Sequence, residues 1–136
     1  MKILVLEDDP IRISKFHSVC EAAGIDLAIH DNVNDFIVAA QLLDYEAIFL
    51  DHDLGGQVFV DTRFHNTGSG AVRWMVAEHG YDVPIIIHSM NTPAAISMEK
   101  SLVAGNFSMV YRVAWIILKH QLREIIEEIK IGAWLQ

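Results

Sequence analysis

The sequence predicts an α/β fold, an open, doubly wound parallel sheet of five strands with helices on both faces. Three observations predict it. Four short runs, at 3–6, 47–50, 85–87 and 109–113, are apolar almost throughout instead of alternating, with Arg112 the exception in the last. Runs of that kind suit strands covered on both faces. Segments with helical spacing lie between them, and the two kinds alternate β-α five times. Short connections and right-handed crossovers turn that alternation into a doubly wound sheet.

The elements follow in order. After the run at 3–6, the residues Ile13, Phe16, Cys20 and Ala23 fall on one helical stripe, with Pro10 suited to its first turn and Gly24 to its stop. A weaker run at 27–29 supplies the second strand. Phe36, Ile37, Ala40 and Leu43 form a second stripe, begun by a cap at Asn32 or Asn34. The run at 47–50 is the third strand. A third stripe uses Val72, Met75, Val76 and His79 and closes at Gly80. The run at 85–87 is followed by a helix opened by Thr92 and Pro93, with Ala95, Met98 and Leu102 inward and Gly105 at its end. The run at 109–113 leads into the longest helix, at about 114–131, with Trp115, Leu118, Leu122, Ile125, Ile126 and Ile129 on its stripe. No repeat, linker or low-complexity tract interrupts this plan.

Composition narrows the function classes. The 136 residues suit one domain over 1–136, 52% of them are apolar, and the formal charge is −8. That charge argues against duplex nucleic acid or an anionic membrane as partner, since both need positive surface. It leaves room for a small phosphorylated ligand, because one cation or one Arg can neutralise a local site. A single cysteine, Cys20, cannot form an internal disulfide, so a reducing, cytoplasmic compartment is expected. No stretch approaches the roughly 20 apolar residues of a membrane span.

The chemistry is expected at the carboxyl ends of the strands, where doubly wound sheets bind ligands. Glu7, Asp8 and Asp9 follow the first strand, and Asp51, His52 and Asp53 follow the third. Taken singly, each acid reads as a cap or a solvated loop carboxylate, and Asp9 before Pro10 is a good helix cap. As a set at two adjacent strand ends they read as a site. Converging carboxylates repel one another unless a hard cation sits among them, so Mg²⁺, or Mn²⁺ in its place, is the natural guest. The fourth strand ends in His88, Ser89, Met90 and Asn91, adding a titratable group and a hydroxyl to the rim. Arg112 closes the fifth strand and pairs either with a phosphate or with a structural carboxylate. One connection, at about 52–69, is far longer than the two to six residues or so usual in such units. A small hairpin at 58–60 is possible within it.

With these residues in place the chain resembles a response-regulator receiver domain over nearly its whole length. The resemblance implies a sheet order of 2-1-3-4-5. It also implies that Asp8 and Asp9 are the acidic pair, that Asp51 is the phospho-acceptor, and that Ser89, five residues past Pro84, is the hydroxyl residue. The Asp53 carbonyl then serves as a further metal ligand. Arg112 stands where the family has Lys. Together with LDHDLGG at 50–56, Asn66 and Gly68 in the long loop, and HSMN at 88–91, that departure resembles the cyclic-phosphate-processing branch of receivers. Membership of that branch implies action on nucleotides or RNA ends bearing cyclic phosphates, with metal on Asp8, Asp9, Asp51 and Asp53. Ser89, Asn91, Arg112, Asn66 and Gly68 would face the phosphate. His52 and His88, whose unperturbed pKa is near 6.5, would share base and acid roles beside Asp51.

Three functions are compatible with these residues: a metal-assisted phosphoesterase for cyclic-phosphate nucleotides, a phosphorelay receiver phosphorylated on Asp51, and a nucleotide-binding module without turnover. The surplus apolar residues of the last helix, Ile116, Ile117, Ile131 and Trp134, suggest a covered outer face. Pairing of two copies through that helix is one way to cover it, and packing on the carboxyl-terminal tail is the other.

Overall fold

A computed structural model describes residues 1–42, 44–55, 60–78 and 82–134. Leu43, His79 and Gly80 of the expected stripes, and most of the hairpin expected at 58–60, fall outside those residues. The elements run β1 (Lys2–Leu6), α1 (Pro10–Ala23), β2 (Asp26–His30), α2 (Val33–Ala40), β3 (Ala47–Leu50), α3 (Gly68–Glu78), β4 (Ile85–Ile87), α4 (Thr92–Ala104), β5 (Val110–Arg112) and α5 (Trp115–Lys130). All four strand pairings are parallel, in the order β2-β1-β3-β4-β5, as expected. The strand order reverses between β1 and β3, which leaves a crevice at their carboxyl ends.

Alternation along each strand splits the core into two layers. Leu4, Leu6, Ile48, Leu50, Ile85 and Ile87 face one way and pack under α2, α3 and α4. Ile3, Val5, Ala47, Phe49 and Ile86 face the other way, under α1 and α5. This explains why the runs are apolar throughout: both faces are covered. Burying each large side chain fully contributes about 1.5–3 kcal/mol. The second layer includes an edge contact between Phe16 and Phe49, with ring centroids 5.2 Å apart.

Local signals set the helix ends. Asp9 caps α1 by accepting from the Arg12 N–H at 3.0 Å, Pro10 occupies the first turn, and Gly24 stops the helix at φ 69°. That left-handed backbone costs Gly no steric penalty. Asn32 caps α2 and Asn91 caps α4 in the same way. Lys130, near the end of α5, donates to the Ala23 carbonyl at 2.8 Å and ties the ends of α1 and α5 together.

The β3–α3 connection is tied to the body of the protein wherever it is described. His65 Nε2 lies 2.9 Å from Asn34 Oδ1, and Asn66 Oδ1 accepts from the Val33 N–H at 2.9 Å. The Arg73 guanidinium donates to the carbonyls of Thr62 and Phe64 at 2.7 and 3.1 Å. On α5 Ile116 and Ile117 are exposed, as is Ile131 just beyond it, while Trp134 packs edge-on against Tyr111 and donates to Glu128. Among the described residues no helix is long and apolar enough to cross a membrane.

Candidate functional site

Three carboxylates meet at the crevice between β1 and β3. Glu7, Asp8 and Asp51 each offer an oxygen, and these oxygens lie within 4.8 Å of one another. The backbone places them there. The Glu7 N–H donates to the His30 carbonyl, which extends the β1 ladder by one residue and turns the Glu7 side chain inward, where it is fully buried. Asp51 N–H donates to the Leu6 carbonyl, so the acids of the two strands sit side by side.

The acidic pair is therefore Glu7 with Asp8, one residue earlier than the expected Asp8 with Asp9. The Asp9 side chain is spent on the first turn of α1. Its place before Pro10 already favours a cap, and a capping carboxylate turns toward the helix rather than the crevice. Glu7 is held at both oxygens. Oε1 accepts from His88 Nε2 at 2.9 Å, and Oε2 accepts from the backbone N–H groups of Asp8 and Asp9 at 3.0 and 3.2 Å.

These contacts drive the two buried acids in opposite directions. Burial pushes the Glu7 carboxyl up, but the His88 hydrogen bond and charge, the Asp9 N–H and Arg12 outweigh it and bring it down to about 2. Asp51 is pushed up to about 8 by its burial, then by the charge of Glu7 and a hydrogen bond with it; Arg12 and the His52 N–H oppose this only in part. An isolated buried carboxylate beside a second one resists ionisation for both reasons. The donor set is thus all hard oxygen, crowded and short of positive charge, which fits a Mg²⁺-type cation.

A residue missed by the sequence reasoning supplies the protein's own cation here. Arg12, in the first turn of α1, places Nη1 3.5 Å from Glu7 Oε1 and 3.8 Å from Asp51 Oδ2. Its guanidinium lies over the Trp115 ring at 5.4 Å. The available signal was its position three residues after the Asp9 cap, on the turn of α1 that abuts the strand ends.

The two histidines do not converge. His52 turns the opposite way from Asp51 and is fully buried under the long loop. Its Nε2 donates to the Val60 carbonyl at 2.7 Å, and its Nδ1 accepts from the Ser69 N–H at 3.3 Å with Ser69 Oγ 3.1 Å away. A backbone N–H can only donate, so the ring proton sits on Nε2, and the two nitrogens are committed to the loop and to the start of α3. His88 lies behind Glu7, ringed by Phe16, Phe49 and Trp115. Its Nδ1 is buried and has no hydrogen-bond partner among the described residues. The shared base and acid roles expected of this pair do not follow from where they sit.

The expected phosphate group is also dispersed. Arg112 donates from Nε to Glu99 Oε1 at 3.0 Å and is largely exposed, so it takes the structural-carboxylate alternative, on α4. Asn66 is occupied by the amino end of α2. Gly68 belongs to the architecture: its N–H donates to the His52 carbonyl at 2.9 Å, and a Cβ there would collide with the Asp51 carbonyl and His52 Cα. Only glycine lets α3 begin this close to the end of β3. Ser89 and Asn91 stay at the rim. Both are buried, Ser89 Oγ accepts from the Asn91 N–H at 3.1 Å, and Asn91 Nδ2 donates to Asp53 Oδ1 at 3.3 Å. Asp53 Oδ1 also accepts from the Val60 N–H at 2.8 Å, so its side chain braces the loop against α4.

The comparisons with known proteins agree with the fold. None of the curated proteins is significantly similar to the chain. Among solved structures, the chain is similar to the chemotaxis protein CheY4 of Vibrio cholerae, at 15% identity and a TM-score of 0.67, covering 94% of this chain and 97% of that one. It is similar to a response regulator receiver protein of Pseudoalteromonas atlantica, at 12% identity and a TM-score of 0.71, covering 98% and 99%. The receiver domain of the sensor histidine kinase PA1611 of Pseudomonas aeruginosa, with magnesium coordinated in its active-site cleft, aligns at 22% identity and a TM-score of 0.62, covering 93% and 94%. These likenesses show a shared fold. The family model that describes the cyclic-phosphate processing receiver domain matches residues 3–104, and the chain belongs to that family.

Proposed function

We propose that the crevice between β1 and β3 binds a cyclic-phosphate nucleotide or RNA end together with Mg²⁺ or Mn²⁺ and opens the cyclic phosphoester. The observation that carries this is the convergence of Glu7, Asp8 and Asp51 within 4.8 Å, where burial and Glu7 push the Asp51 carboxyl above the usual range. Glu7, Asp8 and Asp51 would hold the metal, with the Asp53 carbonyl completing the set as in receivers; when bound it would neutralise phosphoryl oxygens and acidify a water. The chain's own residues prepare that site. His88 and two backbone N–H groups keep Glu7 ionised and pointed inward. His52, Gly68 and Asp53 hold the loop and α3 against Asp51. The Ser89 hydroxyl accepts from Asn91 and keeps its own proton free to donate at the rim. The test is incubation of the protein and Mg²⁺ or Mn²⁺ with 2′,3′-cyclic mononucleotides and cyclic dinucleotides. Loss of turnover in Glu7→Gln supports the reading; neither binding nor turnover across the panel sinks it.

A second reading has its own support. Asp51 stands at the end of β3, beside two acids and near a rim serine, the arrangement of a phosphorelay receiver. Acetyl phosphate with Mg²⁺ should then add one phosphate to the wild type and none to Asp51→Asn. A protein that stays unlabelled while cyclic nucleotides are consumed excludes it.

A further inference from the structure

We propose that Arg12, braced on Trp115, is the anion-binding arm of the site and takes the phosphoryl oxygens that receivers assign to a basic residue after β5. The inference rests on the reading that the crevice accepts a phosphoryl group, and it names the residue that receives it.

The first observation is the state of Arg12. Its Nη1 lies 3.5 Å from Glu7 Oε1 and 3.8 Å from Asp51 Oδ2. Charge-assisted hydrogen bonds between such groups are about 2.7–2.9 Å long. At the observed distances the guanidinium offsets the carboxylates' charge without forming the bidentate pair that would use up its fork. Glu7 has no need of such a pair, since His88 and two N–H groups already occupy its oxygens.

The second observation is how Arg12 is held. The guanidinium sits 5.4 Å from the Trp115 centroid, inside the range of about 6 Å for attraction to a ring face. Trp115 is fixed in turn by Phe16 at 5.8 Å and His88 at 6.0 Å, and its backbone N–H donates to the His88 carbonyl. An arginine held this way loses little freedom when it binds, so each hydrogen bond it forms costs less. The side chain remains 22% exposed, so part of it meets solvent at the mouth of the crevice.

The third observation concerns the competing residue. Arg112, the last residue of β5, donates to Glu99 on α4, with 41% of its side chain exposed. Recruiting it would require breaking that pair. The planar fork of N–H donors suits an oxyanion and not an uncharged group, and the neighbouring acidic cluster, as a cation site, makes a phosphoryl oxyanion the ligand class we assign.

The test uses the full chain and two probes, Mn²⁺ alone and beryllofluoride in the presence of Mg²⁺, followed by calorimetry. Arg12→Gln should bind Mn²⁺ at least as tightly as the wild type, having lost a competing positive charge, but should bind beryllofluoride about tenfold more weakly or worse. Arg12→Lys should recover part of the loss, because it restores charge but not the fork. Arg112→Gln should bind both probes like the wild type. Undiminished beryllofluoride affinity in Arg12→Gln overturns the inference, as does a larger loss in Arg112→Gln. Loss of Mn²⁺ binding together with beryllofluoride in both Arg12 variants also overturns it, since Arg12 would then only be shaping the acids. A wild type that binds Mn²⁺ but no beryllofluoride removes Arg12 as an anion arm and leaves the metal site standing. A wild type that binds neither probe removes the reading of the crevice, and the inference with it.

Discussion

Consider Asp51→Asn in the metal-free protein. The carboxyl is 4% exposed, and it sits beside the ionised Glu7, which together with burial pushes it up to about 8. Its value in the unfolded chain is near the ordinary 3.8. The folded-state value is the higher one, so the contribution to stability is fully present below about pH 4 and is lost as pH rises through about 8. Between those limits the unfolded chain is ionised at this position while the folded one is not. Each pH unit then costs about 1.4 kcal/mol, which gives a ceiling of about 6 kcal/mol over the interval. Water penetration and relaxation reduce such figures in real proteins, and about 2–4 kcal/mol between pH 5 and pH 8 is the working expectation. Asn keeps an oxygen for the His52 N–H, adds a donor toward Glu7, and does not titrate. The variant should therefore gain on the wild type steadily as pH rises, by about 2–4 °C of Tm per kcal/mol. Urea and thermal unfolding with a chelator present, at several pH values, measure the gap. Saturating Mg²⁺ should close or reverse it, because only the wild type then has a bound cation. Parallel pH curves for the two proteins would refute the reasoning.

The other variants probe the site's supports. Gly68→Ala should cost about 3 kcal/mol or more by denaturant unfolding, because a Cβ there meets fixed backbone of Asp51 and His52, not a yielding side chain. His88→Phe leaves Glu7 buried without its main partner and should cost about 3–5 kcal/mol; adding Glu7→Leu should recover most of that loss in a double-mutant cycle. Asp9→Ala should cost about 1 kcal/mol as a lost helix cap and leave Mn²⁺ affinity nearly intact, whereas Asp8→Ala should weaken Mn²⁺ binding.

Much of this fold is legible in the sequence for simple reasons. Strands covered on both faces must be apolar at every position, so β1, β3 and β4 stand out within a residue of their observed ends. Pro10 and Gly24 mark the ends of α1 because each backbone preference matches one terminus. The acidic crevice is legible too, since the strand order of a doubly wound sheet dictates where ligands go. Side-chain direction is harder to read. Past the end of β3 the chain bends at His52, which turns to Val60 and Ser69 while Asp51 faces Arg12. The shift of the acidic pair from Asp9 to Glu7 follows from a single ladder hydrogen bond beyond Leu6, and the Asp-Pro cap was the clue. The redirection of Arg112 to Glu99 and the arrival of Arg12 depend on contacts between elements distant in sequence, which no local pattern encodes.

The central question is whether the crevice opens a cyclic phosphate. A phosphorus NMR time course of 2′,3′-cyclic AMP with the protein and Mg²⁺ tests this most directly, because the strained cyclic ester and the opened monoester resonate apart. The cyclic signal should decay into a monoester signal, a chelator should stop the decay, and Glu7→Gln and Asp51→Asn should not support it. A cyclic signal that keeps its intensity and line width throughout would contradict the account.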